Sequence, residues 1–143
     1  MKIPIERLDK DLPLPDYAHP EEDAGIDLYA RENKHLSALR WVLVKTGIKI
    51  AVPQGYAAFI NPRSGLALKN GITVLNSDGV VDPGYRGEIG VLLINHSDKD
   101  YKIKRGDRIA QLIVMPTPQV EWEEVDNLDK TERNDGGFGH SGR

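Results

Sequence analysis

A turn near the middle of the chain carries a carboxylate and an aromatic ring at its two ends. It reads Asp82-Pro-Gly-Tyr85, with Pro where the backbone needs φ near −65° and Gly where a type II turn needs positive φ. Pro83 also biases Asp82 toward an extended conformation. The sequence thus predicts a type II turn that fixes Asp82 and Tyr85 on one rigid support. A fixed carboxylate suits proton transfer, although Asp and Tyr are also ordinary turn and strand residues.

A second segment has the composition of an anion site. It runs Asn61-Pro-Arg-Ser-Gly-Leu-Ala-Leu-Lys-Asn-Gly71, and Ser64 and Gly65 stand at the start of a short predicted helix. Backbone amides are unpaired there and can donate to an anion, and Arg63 adds a charge-assisted donor. The competing interpretation makes Ser64 a helix N-cap and Arg63 a surface cation.

Two predicted strands each carry one polar side chain of interest. In Asp23-Ala-Gly-Ile-Asp-Leu-Tyr-Ala30 the apolar residues alternate, which places Asp27 on the opposite face. Alone, this pattern indicates an ordinary strand with an exposed acid. Gln111 falls in an apolar run, in phase with Ile109 and Ile113. A buried amide needs hydrogen-bond partners, from the backbone or from a ligand.

The C-terminal tail combines glycines with a single aromatic residue. It reads Arg133-Asn-Asp-Gly-Gly-Phe-Gly-His-Ser-Gly142, and such a segment cannot bury enough apolar surface to order itself. A free polar terminus is the ordinary explanation. Phe138, framed by glycines, also suits a segment that closes over a flat ligand, while Arg133 and Ser141 are able to reach phosphate oxygens.

Strand patterns dominate the rest of the chain. The apolar runs Ile72–Leu75 and Ile89–Ile94 flank the central turn and predict a hairpin. Further strands are predicted near 3–8, 24–30, 56–60, 101–103, 109–115 and 120–125, with two in 41–52, and 65–70 is the one helical segment. Many short strands separated by turn residues predict an antiparallel sandwich or barrel.

Composition limits the class of protein. The 143 residues suffice for one domain with a buried core, and the absence of cysteine fits a reducing compartment. The first residues lack the apolar run of a secretory signal, and no later run approaches a membrane span. We therefore expect a cytoplasmic protein. A net charge of −3 argues against stable nucleic acid binding but allows a small anionic ligand.

Taken together and in this order, the five segments resemble the trimeric deoxyuridine triphosphate nucleotidohydrolases, the dUTPases, from about Asp23 to the C-terminus. The resemblance implies an all-β fold, a jelly-roll-like antiparallel barrel or sandwich with one short helix. Residues 1–125 would form this domain, and 126–143 a flexible arm that closes over a neighbouring active site. It also implies Mg²⁺ and a homotrimer with active sites at subunit interfaces. The expected reaction is hydrolysis of dUTP to dUMP and pyrophosphate, which limits uracil incorporation into DNA and supplies dUMP for thymidylate synthesis.

The resemblance assigns a role to individual positions. Asp82 corresponds to the general base that activates the water attacking the α-phosphorus, and Tyr85 to the ring that stacks under the deoxyribose. Asp27 corresponds to an acid that contacts the metal indirectly, through water. The uracil would be read by Asn76, Gly79, Val80 and Val81. The phosphates would be bound by Arg63, Ser64, Gly65 and Gln111. The tail would contribute Phe138 on the base and Arg133, His140 and Ser141 toward the γ-phosphate.

The tail departs from the family pattern at two positions. Asn134 follows Arg133 where the family usually has Gly, and His140 stands where it usually has Ser. If His140 donates to the γ-phosphate, the strength of that contact depends on pH.

Two other functions fit the same fold. One is dCTP deamination, but enzymes of that type carry a catalytic Glu in the strand after the hairpin, and Gly90–Ile94 here is wholly apolar. The other is an inactive dUTP-binding regulatory module, because a fold alone never guarantees activity. Loss of Asp82, Tyr85 or the tail would mark such a module, and all three are present.

Overall fold

The structure is a computed structural model that describes residues 1–137. The strands of this part of the chain are β1 (Ile5–Arg7), β2 (Ile26–Tyr29), β3 (Lys34–Leu36), β4 (Trp41–Lys45), β5 (Ile48–Ile50), β6 (Tyr56–Asn61), β7 (Ile72–Val74), β8 (Gly79–Val81), β9 (Gly90–Asn95), β10 (Tyr101–Ile103) and β11 (Arg108–Pro116). The helix is α1 (Ser64–Asn70). No helix within residues 1–137 has the length and hydropathy needed to cross a bilayer.

Within residues 1–137 all strand pairs are antiparallel, and they form four small sheets. A four-stranded sheet has the order β2-β11-β6-β8, and a three-stranded sheet has the order β4-β9-β7. Two pairs, β1-β5 and β10-β3, complete the fold. The predicted all-β antiparallel class is confirmed, and short strands connected by turns fit the jelly-roll-like arrangement expected from the sequence.

The core lies between the sheets and is built by alternation along the strands. In β9, Val91 and Leu93 are buried while Leu92 between them is partly exposed. Leu28 of β2 and Leu36 of β3 join the same core cluster. Because the buried aliphatic side chains come from all four sheets, the strands form one hydrophobic core and position one another.

The central hairpin is confirmed, with an additional strand inside it. β7 pairs with β9 in the register Val74 opposite Leu93. Between them, β8 leaves this sheet and pairs with β6, with Val81 opposite Ala58. The hairpin loop therefore connects the two larger sheets, so the turn at Asp82 is held by both.

Helix α1 follows β6 directly and is short because its end is defined by glycine. Gly71 has φ 64°, a left-handed conformation, and its N–H donates to Ala67 and Leu66. A side chain at this position would be strained and would also lie 3.3 Å from the backbone nitrogen of Ser97. The helix consequently stops at Asn70, and β7 begins at Ile72.

One predicted strand is wrong, and two strands of the structure were not predicted. The predicted strand at 120–125 is not formed: this segment is irregular, and Trp122 is 90% exposed. A strand needs a partner, and this segment pairs with no strand among residues 1–137. β3 and β8 were not predicted, because three residues are too few to show a period-two pattern.

Candidate active site

A cavity of about 160 Å³ lies at the point where the hairpin joins the two larger sheets. The candidate residues that line it are Asn76, Gly79, Val80, Val81, Asp82 and Tyr85. β8 is the edge strand of its sheet, so part of its backbone donors and acceptors has no strand partner. The predicted base-reading residues, the predicted general base and the predicted stacking ring therefore surround one space.

Gly79 lets the Asn76 amide approach the backbone of β8. A Cβ at position 79 would lie 3.3 Å from Asn76 Nδ2 and 3.4 Å from Ile60 Cβ. The amide offers a donor and an acceptor side by side. This is the pairing needed to recognise the adjacent N–H and C=O of a pyrimidine dione such as uracil.

The turn that carries Asp82 and Tyr85 differs in type from the prediction. Tyr85 N donates to Asp82 O at 3.1 Å, which confirms a tight turn. Gly84, however, does not have positive φ, so the predicted type II geometry is wrong. Proline at the second position is equally compatible with a type I turn, which needs no left-handed residue.

The Tyr85 ring is fixed by a hydrogen bond to the far side of the turn. Its hydroxyl donates to Glu88 O at 3.0 Å, and the ring lies over Gly87. The ring is nevertheless 45% exposed toward the cavity. A ring that is fixed and open on one face can pack against a sugar or a base.

The Asp82 carboxylate is exposed and makes no ion pair with any of residues 1–137. Its backbone is fixed through the carbonyl contact with Tyr85. An acid without a cationic partner can accept a proton from water, as a general base must.

A second cluster of candidate residues lies around Asp27, at the other end of β6. Asp27 is only 3% exposed, so it is not the exposed acid that strand alternation alone suggested. Its Oδ2 accepts from Arg108 Nη1 at 3.0 Å, and its Oδ1 lies 3.0 Å from Arg63 Nε. Arg63 Nη1 also donates to Arg108 O at 3.2 Å. One buried acid thus holds two guanidinium groups together.

Gln111 lies beside this cluster. It pairs across the sheet with both Asp27 on β2 and Asn61 on β6. A Cβ at Gly25 would lie 3.2 Å from Gln111 Cβ and 3.5 Å from its Oε1. Gly25 therefore leaves space for the Gln111 side chain, which is half-buried and makes no side-chain hydrogen bond within residues 1–137.

The start of α1 places further donors next to the arginines. Arg63 is the residue before the helix, and no side chain caps it, so the interpretation of Ser64 as an N-cap is wrong. Ser64 and Gly65 are the first helical residues and both are exposed. The cationic cluster and the first turn of α1 together can neutralise and orient an anion.

The residues fit a metal ion that is held mainly by substrate phosphates and water, and not by protein side chains. Within residues 1–137 no three His, Cys, Asp or Glu side chains come close enough to chelate an ion. Asp27 Oδ1 and Arg63 Nε are both buried and lie 3.0 Å apart, as in an ion pair. The direction between them does not suit a hydrogen bond, however, and neither atom has another hydrogen-bond partner among residues 1–137. Oδ1 is therefore a buried acceptor able to take a hydrogen bond from water. Mg²⁺ commonly keeps several waters and binds substrate phosphates, so an acid that acts through water is compatible with this site.

Burial also affects a tyrosine next to the cluster. Desolvation raises the pKa of the Tyr101 hydroxyl above its ordinary value, and the negative charge of Asp107 acts in the same direction. The positive charge of Arg63 opposes them. Tyr101 therefore remains a neutral phenol at physiological pH.

Asp82 and the arginine cluster lie at opposite ends of β6 in one chain, whereas Gly79 of the hairpin is level with Ile60, near the end of β6 that pairs with Gln111. Val81 is level with Ala58, so Asp82 lies beside Ala57, whereas Ser64 lies three residues beyond the end of the strand. At about 3.3 Å per residue, the groups are separated by roughly 20 Å. A single chain does not bring Asp82 and the arginine cluster to one ligand.

The tail contributes one described candidate residue. Arg133 is exposed, and its Nε donates to Gly136 O at 2.7 Å within a local turn. The structure places it at neither candidate group. Phe138, His140 and Ser141 lie outside the described residues.

Sequence reasoning missed Arg108, Gly25 and Gly87 as parts of the site. Arg108 was visible as a cation next to the strand with Gln111, but its partner Asp27 lies 81 positions earlier. The two glycines act by leaving space for Gln111 and Tyr85, which becomes apparent only when the neighbouring side chains are in place.

The chain is similar to known proteins over nearly its whole length. The sequence model of the dUTPase family matches residues 10–142. A deoxyuridine 5′-triphosphate nucleotidohydrolase of Clostridium tetani is 48% identical over 141 residues, covering 99% of this chain and 97% of the relative. The corresponding protein of Gloeobacter violaceus is 51% identical over 144 residues, again covering 99% and 97%.

Solved structures agree with the fold. The dUTPase of Staphylococcus bacteriophage 80alpha, in a structure with dUpNHpp, superposes with a TM-score of 0.90 and 26% identity, covering 99% of both chains. A variant of the phage phi11 enzyme superposes with a TM-score of 0.80 at 24% identity, covering 89% of this chain and 98% of that one. That structure concerns the coordination of a structural Mg(II) ion.

Proposed function

Because the chain belongs to the dUTPase family, we propose that it hydrolyses dUTP to dUMP and pyrophosphate. The observation that carries the proposal is the cavity at the hairpin. It is surrounded by an amide, a strand edge, an aromatic ring and a carboxylate that has no ion pair among residues 1–137, which are the groups needed to contact a base, a sugar and an α-phosphate. In the cell, we place this reaction in the cytoplasm, where it limits uracil incorporation into DNA and supplies dUMP for thymidylate synthesis.

The base is recognised by the free edge of β8 and by Asn76. Backbone donors and acceptors of Gly79–Val81 would pair with the uracil edge, and the Asn76 amide adds a donor and an acceptor. Cytosine presents the opposite pattern and would leave buried groups unpaired, which a polar pocket rejects strongly. Thymine is rejected by shape, because a narrow hairpin leaves no space for its methyl group. Tyr85 packs against the deoxyribose and excludes a 2′-hydroxyl.

Asp82 acts as the general base. It accepts a proton from the water that attacks the α-phosphorus, and the P–O bond to the departing pyrophosphate breaks. No covalent intermediate with the protein is needed, because phosphoryl-type transfer mainly requires positioning, charge neutralisation and an aligned nucleophile. A positioned base typically contributes about 10²–10⁴-fold in rate.

The phosphates are bound by the cluster around Asp27 and the first turn of α1. Arg63, Ser64, Gly65 and Gln111 supply donors, and Arg108 contributes by holding Asp27 and Arg63 in register. If Mg²⁺ is bound, Asp27 would act on it indirectly, through a water that donates to Oδ1, which has no hydrogen bond among residues 1–137. When bound, Mg²⁺ neutralises charge on the triphosphate and favours departure of pyrophosphate.

We further propose that the enzyme is a homotrimer in which two subunits combine to form the main part of each site. The hairpin of one subunit and the arginine cluster of another would close on one dUTP, since roughly 20 Å separates Asp82 from Ser64 within a chain. The arm 126–143 of a subunit would cover the nucleotide, with Phe138 on the base and Arg133, His140 and Ser141 toward the γ-phosphate.

An unpartnered apolar surface supports this assembly. Outward side chains of the β4-β9-β7 sheet pair across strands, with Trp41 opposite Ile94 and Leu43 opposite Leu92. Trp41 is 61% exposed, and Leu75 continues the patch. Exposed contiguous apolar patches of this kind mark interaction sites. Leu92 also lines the cavity, so a second copy seated here would lie next to the base-binding end of the site.

The proposed function is tested by substrate choice. The protein is incubated with Mg²⁺ and dUTP, dCTP, dTTP or UTP, while pyrophosphate and ammonia are followed. We expect pyrophosphate from dUTP alone and no ammonia from dCTP, because β9 carries no acidic side chain. Release of ammonia from dCTP would favour the deaminase, and dUTP bound but intact would favour an inactive module.

The variant Asp82→Asn tests the general base in the same assay. It should lower kcat for dUTP by about 10²–10⁴-fold while KM changes little. Asp98→Asn is the matched control, because Asp98 is also an exposed acid without an ion pair among residues 1–137. It should retain the wild-type rate. Wild-type turnover in Asp82→Asn would remove Asp82 from the mechanism.

A further inference from the structure

Glu88, at the foot of the hairpin, has a nearly buried carboxylate that none of the site roles above uses. Its side chain is only 13% exposed. Oε1 accepts from Gly47 N at 2.9 Å and from Arg31 Nη1 at 3.2 Å, and Oε2 lies 3.5 Å from Lys45 Nζ. A desolvated charge is retained only when it is paired in this way. The carboxylate therefore attaches the hairpin to the turn between β4 and β5.

The same turn is attached to the residue after Glu88. Thr46 N and Thr46 Oγ1 donate to Ile89 O at 3.1 and 2.8 Å, and Ile89 N donates to Ile48 O at 2.9 Å. Gly47 has φ 74°, so the turn adopts a fixed left-handed conformation. The foot of the hairpin is thus held by backbone and side-chain contacts on one rigid turn.

From Glu88 the contacts continue into the cavity. Its backbone carbonyl accepts the Tyr85 hydroxyl at 3.0 Å, and Tyr85 N donates to Asp82 O at 3.1 Å. The position of the aromatic ring therefore depends on where Glu88 lies. The Glu88 side chain itself is not among the groups that line the cavity.

We propose that Glu88 is a positioning residue that sets the Tyr85 ring against the sugar, an inference that rests on the proposed function. Its carboxylate fixes the foot of the hairpin on the β4–β5 turn, and its carbonyl fixes the ring. Without this attachment the ring shifts or becomes mobile, and discrimination between deoxyribose and ribose falls. The effect reaches the substrate only through Tyr85.

The test compares Glu88→Ala and Glu88→Gln with the wild type, using kcat/KM for dUTP and for UTP in Mg²⁺. In Glu88→Ala we expect kcat/KM for dUTP to fall on the order of tenfold, and the dUTP-to-UTP ratio to fall as well. Glu88→Gln should recover part of the ratio, because its amide oxygen can still accept from Gly47 N.

Asp100→Ala is the matched control. Asp100 also accepts from a backbone amide, Ala38 N at 2.9 Å, and pairs with the imidazole of His35 at 3.0 Å, but it lies in the loop between β9 and β10. The loss of a comparable contact there should leave the dUTP-to-UTP ratio unchanged. If each Glu88 variant lowers kcat/KM for dUTP and kcat/KM for UTP by the same factor, the dUTP-to-UTP ratio is unchanged. Glu88 then has only a structural role, and the proposal is overturned.

Hydrogen exchange gives a readout that does not depend on activity. Amides of Asp82–Gly87 should exchange faster in Glu88→Ala than in the wild type. In Asp100→Ala the same amides should exchange at the wild-type rate. Unchanged exchange would overturn the attachment even if dUTP is hydrolysed. A wild-type protein that leaves dUTP intact would instead overturn the proposed function, while the exchange data would still decide whether Glu88 holds the hairpin. Should Glu88→Ala fail to fold, Glu88→Gln supplies both measurements.

Discussion

Gly87 decides where the Tyr85 ring can lie. A Cβ built at this position would lie 2.6 Å from Tyr85 Cζ, far inside van der Waals contact. The tyrosine hydroxyl is held by Glu88 O immediately beyond. The ring and the glycine beneath it therefore form one unit, and selection for the sugar depends on both.

The substitution Gly87→Ala should displace the Tyr85 ring. We expect kcat/KM for dUTP to fall about tenfold or more, with a smaller dUTP-to-UTP ratio, because a shift of about 1 Å at a binding group is costly. Gly84→Ala, in the same turn, is the control. No atom lies within 4 Å of its added Cβ and its φ is not positive, so its kinetics should stay close to those of the wild type. Similar losses in both variants would contradict this account of Gly87.

Asp27 shows what a local pattern leaves out. Alternation along β2 correctly separated Asp27 from the apolar face, yet it suggested an exposed acid. The structure buries it, because Arg63 and Arg108 come from positions 36 and 81 residues away and cover it. Periodicity predicts the face of a strand, but it carries no information on which distant element packs there.

Among the elements, those with strong local signals were predicted and those that depend on distant partners were not. Helix α1 and the β7–β9 hairpin were expected from helix and turn chemistry, and both are present. β8 was missed because its three residues leave the hairpin and pair with β6. The predicted type II turn was wrong, since Pro-Gly is also compatible with a turn in which Gly84 has no positive φ.

The C-terminal segment is another element whose structure depends on a distant partner. Residues 120–125 have the composition of a strand, but they pair with none of the strands within residues 1–137. Val120 and Trp122 are 72% and 90% exposed. An apolar segment in this state is consistent with an arm that packs on another subunit, as proposed for 126–143.

Truncation after Lys130 tests the arm. The truncated protein should fold and assemble as the full chain does, because the core residues all precede this point. Its kcat/KM for dUTP should fall at least tenfold, because the groups proposed to cover the base and the γ-phosphate are removed. Thermal unfolding and sedimentation serve as controls for fold and assembly. Undiminished turnover would exclude the arm from the mechanism.

For the whole molecule, the sequence predicted an antiparallel all-β fold with one helix, and the structure agrees. The division into four sheets was beyond prediction, because it depends on which strand edges meet. The separation of Asp82 from the arginine cluster along β6 was likewise not visible in the sequence. It follows from register, which is fixed by the shared hydrophobic core.

Trp41→Lys tests the proposed assembly. Trp41 is 61% exposed in the single chain, so lysine there should cost an isolated subunit little stability. At a subunit contact it would bury a charge, and we expect sedimentation to show monomers with little dUTP hydrolysis. Trp41→Phe keeps an apolar side chain and should remain assembled and active. An assembled and active Trp41→Lys protein would place the contact elsewhere.

The distance between the hairpin and the arginine cluster along β6 has a genetic consequence. If every working centre draws these two parts from different copies, a defect in one part does not spoil the other part of the same polypeptide. Two alleles, one damaged at Asp82 and the other at Arg63, would then restore each other's function when expressed together. The restoration would be partial, because only some centres in a mixed assembly would receive both parts from undamaged copies.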